Sequence, residues 1–447
     1  MRGGAASSAP SQPSYGLNRP REGEKTLPKA RADLSGVYWP GTRGQFGWRA
    51  DDFSALQFLP VLRSGLIRLF FTTLLFVAAA LLFAHPLLLI SSVSRRLQEG
   101  SFPRSAGLRA AALALAGEDI YAADRPNELS PTVRNFPSRV YVPNSESASV
   151  DVIDPTTYKV VDHFAVGRLP QHIVPSYDLK TLYVLDDQGY ALSKINPATA
   201  KLEGNVSVDD PYNLYFTPDG TEAIVVAEAL HRLDFRDAQT MKMKFPLTVP
   251  CDGPNHLDYS DDGRYFIVSC EFDGKLIKVD TASRKILGVR QLDRPAMPQD
   301  VRLSPDAKVF YVADMAANGV HEIDGDQFQV VGFLKTGKGT HGLLVSRDSK
   351  LMYISNRGEG SISVMDLAQR KIIAKWKLPH GGSPDMGGIS ADGKVLWLSG
   401  RYNSEVYAID VDTGKLLARI PVGKGPHGLC VYPQPGRYSL GHTGLFR

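Results

Sequence analysis

Histidine is scarce in this chain, 10 in 447 residues, and four of them recur at one position of a repeating pattern: His172, His256, His341 and His427. In the other repeats that position holds Asn213, Asp300 or Asp385. Imidazoles and carboxylates are ligands for divalent cations and carriers of protons near neutral pH. If the repeats close into a ring, these side chains gather around one opening. His172, His256, Asp300, His341, Asp385 and His427 are then a candidate divalent-metal set, with acid/base catalysis as the other chemistry open to them. A third use is purely structural, because a histidine ahead of a buried strand can hydrogen-bond a neighbouring backbone group and lock the packing.

A second register lies at the turn between the second and third strands of each repeat and reads Ser145, Asp187, Glu228, Glu271, Met315, Arg357, Arg401. It opens on the same mouth. Acids on three consecutive repeats and arginines on two others give that mouth a negative and a positive side. Asp187, Glu228, Glu271, Arg357 and Arg401, with Asn213, are therefore candidate ligand-binding residues, suited to a small zwitterion or to an anion held by guanidinium forks. Solvated turn charge is the competing reading. The chain carries no HExxH, CxxC, CxxCH, GxSxG or Walker element, so it lacks the common zinc, haem, hydrolase and nucleotide signatures.

What positions these residues is a repeat, seen most completely in the stretch 341–384. His341-Gly-Leu-Leu-Val-Ser346 alternates into a polar turn; Leu351 to Ser355 is β-rich and ends at Asn356-Arg357-Gly358; Ser361 to Asp366 and Ile372 to Lys377 supply two more strands. A third strand ending in an acidic residue or Asn marks every copy: Asp154, Asn196, Asp237, Asp280, Asp324, Asp366 and Asp410. These markers lie roughly 42 residues apart, the spacing of a propeller blade or a solenoid turn. Period-two alternation broken by frequent Gly, Pro and Asp turns disfavours a helical repeat.

The ends of the array favour a closed ring. Arg139-Val-Tyr-Val-Pro-Asn144 matches a second strand whose own first strand is missing, while Pro426-His-Gly-Leu-Cys-Val-Tyr432 matches a first strand with no successors. Docking one on the other predicts an all-β, seven-bladed propeller of four-stranded blades closed by the C-terminal strand, with no exposed sheet edge at the seam.

Tyr141-Val-Pro-Asn144, Val150-Asp-Val-Ile-Asp154, Val166-Gly167, Ser304-Pro-Asp306 and Tyr353-Ile-Ser-Asn356 resemble the YVTN-repeat β-propeller family over about residues 139–433. The resemblance implies the fold and, because such propellers are commonly exported, an extracytoplasmic setting. The propellers of nitrous oxide reductase and haem-binding nitrite reductases are similar in architecture and use histidines at the channel mouth. Here the electron-transfer domain is lacking and His occupies only four of seven positions, which argues against redox catalysis. Lactonases are similar more distantly. Fold alone does not carry function.

Outside the repeats, residues 1–65 are rich in Gly, Ser, Pro and charge and are expected to be a disordered tail. Residues 66–93 include about 20 uncharged residues after Arg68, long enough for one transmembrane helix or signal anchor. Basic residues on both sides tilt the N-terminus only slightly toward the cytoplasm. The expectation is a membrane anchor with the propeller extracytoplasmic, or secretion after cleavage. Residues 94–137 read as a linker, 138–435 as the propeller and 436–447 as a tail. Cys251 and Cys270 flank a hairpin and are placed for a disulfide in an oxidising compartment. A net charge of +4 without a basic block argues against a nucleic-acid partner. These features predict a membrane-tethered binding or scaffolding propeller for a small molecule or protein, with a metal- or cofactor-dependent enzyme or redox protein using the His/Asp ring, or a lactonase-like hydrolase, as the alternative.

Overall fold

A computed structural model describes residues 119–442 and 444–447. The expected tail and membrane helix, and the linker up to residue 118, lie outside the described residues. Among the described residues no helix is long and apolar enough to cross a membrane.

Among the described residues there are seven antiparallel sheets, each built on four consecutive positions from an inner to an outer strand. The third strands are Ser149–Asp154, Ala191–Asn196, Arg232–Asp237, Lys275–Asp280, Gly319–Asp324, Ser361–Asp366 and Glu405–Asp410, so each ends on its marker residue. Local chemistry explains the marker. The side-chain oxygen of each accepts a backbone N–H two or three residues on, as in Thr156 to Asp154 at 2.9 Å, Ala198 to Asn196 at 2.9 Å and Thr413 to Asp410 at 2.9 Å, which reverses the chain into the fourth strand.

Burial falls from the centre outward. The inner strand Pro254–Tyr259 is buried at every position, whereas the outer strand Lys371–Lys377 alternates exposed and half-buried. Apolar residues of each blade meet those of its neighbours in seven clusters, one per interface; the last joins Trp397, Val406 and Ile420 of blade seven to Val140, Val142, Leu429 and Val431 of blade one. Closure occurs at that seam. Cys430–Tyr432 pairs antiparallel with Arg139–Asn144, with Tyr432 opposite Arg139 and Cys430 opposite Tyr141, and completes blade one from its inner edge.

Both flanks depart from the sequence reading. Residues 119–137 are not a free linker but cover the lower mouth: Tyr121 donates to Leu303 O at 2.8 Å and the Asn127 N–H donates to Ala391 O at 2.8 Å. The last residues are not a tail but a strap. Ser439–Gly441 adds to the inner edge of Pro211–Phe216 in blade three, Leu445–Phe446 folds back on it, and the Arg447 guanidinium reaches Asp258 at 3.2 Å. Gly441, at φ +107°, permits this approach, since a Cβ there would fall 2.4 Å from Leu214 O. Cys251 and Cys270 form a disulfide with Cα atoms 6.1 Å apart, and Cys430 is a buried free thiol.

Candidate functional site

Each inner strand begins at the upper mouth with a β-bulge. In blade two Pro170 faces Asp186 and Ile173 faces Val184, so Gln171 and His172 together oppose one residue. The same irregularity separates Pro254 from Leu257, Pro298 from Val301, Thr340 from Leu343 and Pro384 from Gly387. A bulge re-aims side chains, and here it offers two successive positions to the channel.

The ring expected from the sequence therefore splits into two levels. His341 and Asp385 occupy the first bulge position, and with His427 they form an upper group whose ligand atoms lie within 4.8 Å of one another. His172, His256 and Asp300 occupy the second position. His172 and His256 meet a histidine that sequence reasoning missed, His442, in a lower group of the same dimensions. His442 comes from the strap and stands in no repeat register; the glycines at 441 and 444 around it are its only signal in the sequence. His172 and His427, with ring centroids 4.7 Å apart, link the two levels into one column of five imidazoles.

Asp385 organises the upper group. His341 Nδ1 lies 2.8 Å from Asp385 Oδ1, Arg357 Nη1 donates to Oδ2 at 3.2 Å, and His427 Nε2 is 3.7 Å from Oδ2. Burial opposes ionisation of Asp385, but Arg357, His341 and His427 outweigh it and hold the carboxyl well below its usual range. Arg357 is thus an internal counter-ion rather than a free anion clamp. Arg401 donates to Ser145 Oγ at 3.0 Å across the seam between blades seven and one.

Asp300 and Asn213 serve the fold. Asp300 accepts from the Val301 and Leu343 N–H groups, each at 2.9 Å, which ties blade five to blade six, and its Oδ1 is 3.2 Å from His442 Nε2. Asn213 accepts from its neighbour Leu214 N–H at 2.9 Å and donates to Tyr215 Oη at 3.3 Å. Both are fully buried.

His172 and His256 are different. Both are 0 % exposed, and none of their four ring nitrogens has a hydrogen-bond partner. Burial drives both imidazoles, and those of His427 and His442, well below their ordinary pKa, so all four are neutral at pH 7.

The acidic side of the mouth comes from blades two to four. Burial and then the neighbouring Asp210 push Asp187 up to about 8, and burial with Glu271, Asp187 and Asp210 pushes Glu228 well above the carboxylate range. Glu271 Oε2 accepts from Asn255 at 2.7 Å, and one oxygen of Asp187 is buried without a partner. The folded protein keeps the Asp187 proton up to about pH 8, whereas an unfolded aspartate releases it near pH ~4, so stability falls as pH rises between those values. Asp187→Asn is expected to flatten that fall, read as a smaller loss of melting temperature between pH 5 and pH 8 than in the native chain.

A cleft at the lower mouth is lined among others by Asp124, Arg302, Arg347 and Gln434. Its cations are already engaged: Arg302 donates to Leu343 O at 3.1 Å, and Arg347 to Ile389 O at 2.7 Å and to Gln434 Oε1 at 2.8 Å.

Comparison with known proteins agrees with this architecture. A family model described as YNCE-like beta-propeller matches residues 113–436. Antigen Lp49 of Leptospira interrogans is 23% identical over 356 residues, covering 72% of this chain and 76% of Lp49. Among solved structures, Kuenenia stuttgartiensis hydrazine synthase superposes with a TM-score of 0.54 at 18% identity, over 66% of this chain and 97% of that one. Dihydro-heme d1 dehydrogenase NirN superposes with a TM-score of 0.51 at 15% identity, over 68% and 76% respectively. At these identities the superpositions establish the fold alone.

Proposed function

Because this chain belongs to the YncE-like β-propeller family, we propose that it is a binding propeller whose ligand is a small cation taken in through the upper mouth. The observation that carries the reading is a cluster of four acids, Asp187, Asp210, Glu228 and Glu271, at the mouth of a channel that holds two buried imidazoles without a protein partner, with Tyr212 between the two sets. Arg357 is engaged by Asp385 and does not serve these acids as a counter-ion. Burial and the neighbouring carboxyls keep Asp187 and Glu228 protonated near neutral pH, and a cation would replace those protons. Imidazole below carboxylate is a sequence of ligands that a borderline metal ion accepts.

Two consequences can be measured on the full chain with Zn²⁺ as the probe. Binding in weakly buffered solution at pH 7 is expected to release protons, and affinity should rise with pH toward 8, where the Asp187 proton leaves unaided. A chain carrying Asp187→Asn and Glu228→Gln should bind about tenfold or more weakly and release fewer protons. Equal affinity and equal proton release in that variant would refute the mouth as the point of uptake.

The reading includes a location. The apolar segment 66–93 anchors the chain and the propeller works outside the cytoplasm; the Cys251–Cys270 disulfide supports an oxidising compartment. Protease added to intact cells should then degrade the propeller. Full protection until lysis would put the propeller on the inner side.

A further inference from the structure

We infer that His172, His256 and His442 form a transition-metal site of three imidazoles at the foot of the column, completed by the chain's own C-terminal strap. This rests on the cation reading of the mouth and names the ion's class and resting place. The three ligand atoms lie within 4.8 Å of one another, and the ring centroids are 5.3 Å apart for His172 and His256, 4.7 Å for His256 and His442, and 5.5 Å for His172 and His442. Ligand atoms about 2.0–2.1 Å from a common centre meet that condition after small side-chain movements.

Two further observations point to an ion rather than to packing. The four ring nitrogens of His172 and His256 are buried with no protein partner, although buried polar atoms in folded proteins are almost always satisfied. Finally, the carboxylate of Asp300 sits 3.2 Å from His442 Nε2, the arrangement that orients ligating histidines in known metal sites.

The donor set selects the ion. Calcium and magnesium call for oxygen ligands, whereas imidazole suits zinc, cobalt, nickel and copper. Three protein ligands leave a fourth position open for water or for a group arriving from above. The nearest imidazole in that direction is His427, 4.7 Å from His172, so the upper group of His341, Asp385 and His427 adjoins the triad.

The strap makes the site conditional on complete folding. His442 is held by the donation of its backbone N–H to Leu214 O at 2.9 Å and by the pairing of Gly441 with Tyr215. The third ligand therefore arrives only when the C-terminus has threaded into the channel, and the bound ion in turn pins the strap.

The test is a titration of the metal-stripped full chain with Co²⁺, read by its visible ligand-field absorption and then displaced with Zn²⁺. The expected result is one tightly held ion with a four-coordinate spectrum. His172→Ala and His442→Ala should each weaken binding about a hundredfold with circular dichroism unchanged, while His163→Ala, on the exposed outer strand of blade one, keeps the spectrum. Should either variant fail to fold, His256→Gln carries the same comparison. Affinity within twofold of native in the folded His172 and His442 variants, with Asp187→Asn and Glu228→Gln still weakening it, would overturn the triad and leave the mouth reading standing. No binding of Co²⁺ or Zn²⁺ by the folded native chain would overturn both.

Discussion

A chain truncated before Gly425 is expected to lose cooperative folding. The removed segment supplies the inner strand of blade one and the strap that lines the channel, and Leu429, Val431, Leu440, Leu445 and Phe446 in it are all at most 2 % exposed. Burying each is worth about 1.5–3 kcal/mol, so together they contribute about 10 kcal/mol. That is the scale of a whole domain's stability, about 5–15 kcal/mol. Removal also uncovers the edge of Arg139–Asn144, which becomes a template for aggregation. Calorimetry and size exclusion decide it: a soluble truncated chain with a native-like transition would show that the ring does not depend on its seam.

Gly428→Ala should damage seam and site together. A Cβ at Gly428 would fall 2.0 Å from His172 Nδ1 and 2.7 Å from its Cγ, so the imidazole must leave its place in the channel. The backbone there cannot yield easily, because the Ile173 N–H donates to Gly428 O at 3.0 Å and the Gly428 N–H to Gln171 O at 2.9 Å. Overpacking of this kind costs about 1–3 kcal/mol. The expected outcome is a lower melting temperature accompanied by about a hundredfold weaker Zn²⁺ binding. Native affinity in the folded variant would mean that His172 takes no part.

The contrast between what sequence revealed and what it hid follows from the range of the interactions. The seven markers from Asp154 to Asp410 were legible because the turn each one makes is completed within three residues. The seam was legible because a missing strand and a surplus strand each matched a repeat. The single histidine ring was not what the chain builds, since the bulges that set His172 and His256 one position deeper than His341 and Asp385 arise from pairing with the second strand. The role of Arg357 was hidden for a similar reason, as its partner Asp385 belongs to the next blade. His442 lies beyond the last repeat, where no register could align it, and its position depends on a strap crossing to blade three.

The most direct measurement is an anomalous-difference map from crystals of the full chain grown with Zn²⁺, recorded at the zinc absorption edge. If the upper channel binds a cation, the strongest peak lies inside the ring among His172, His256 and the histidines around them. Peaks confined to exposed carboxylates on the outer surface, with none in the channel of a fully folded chain, would contradict it.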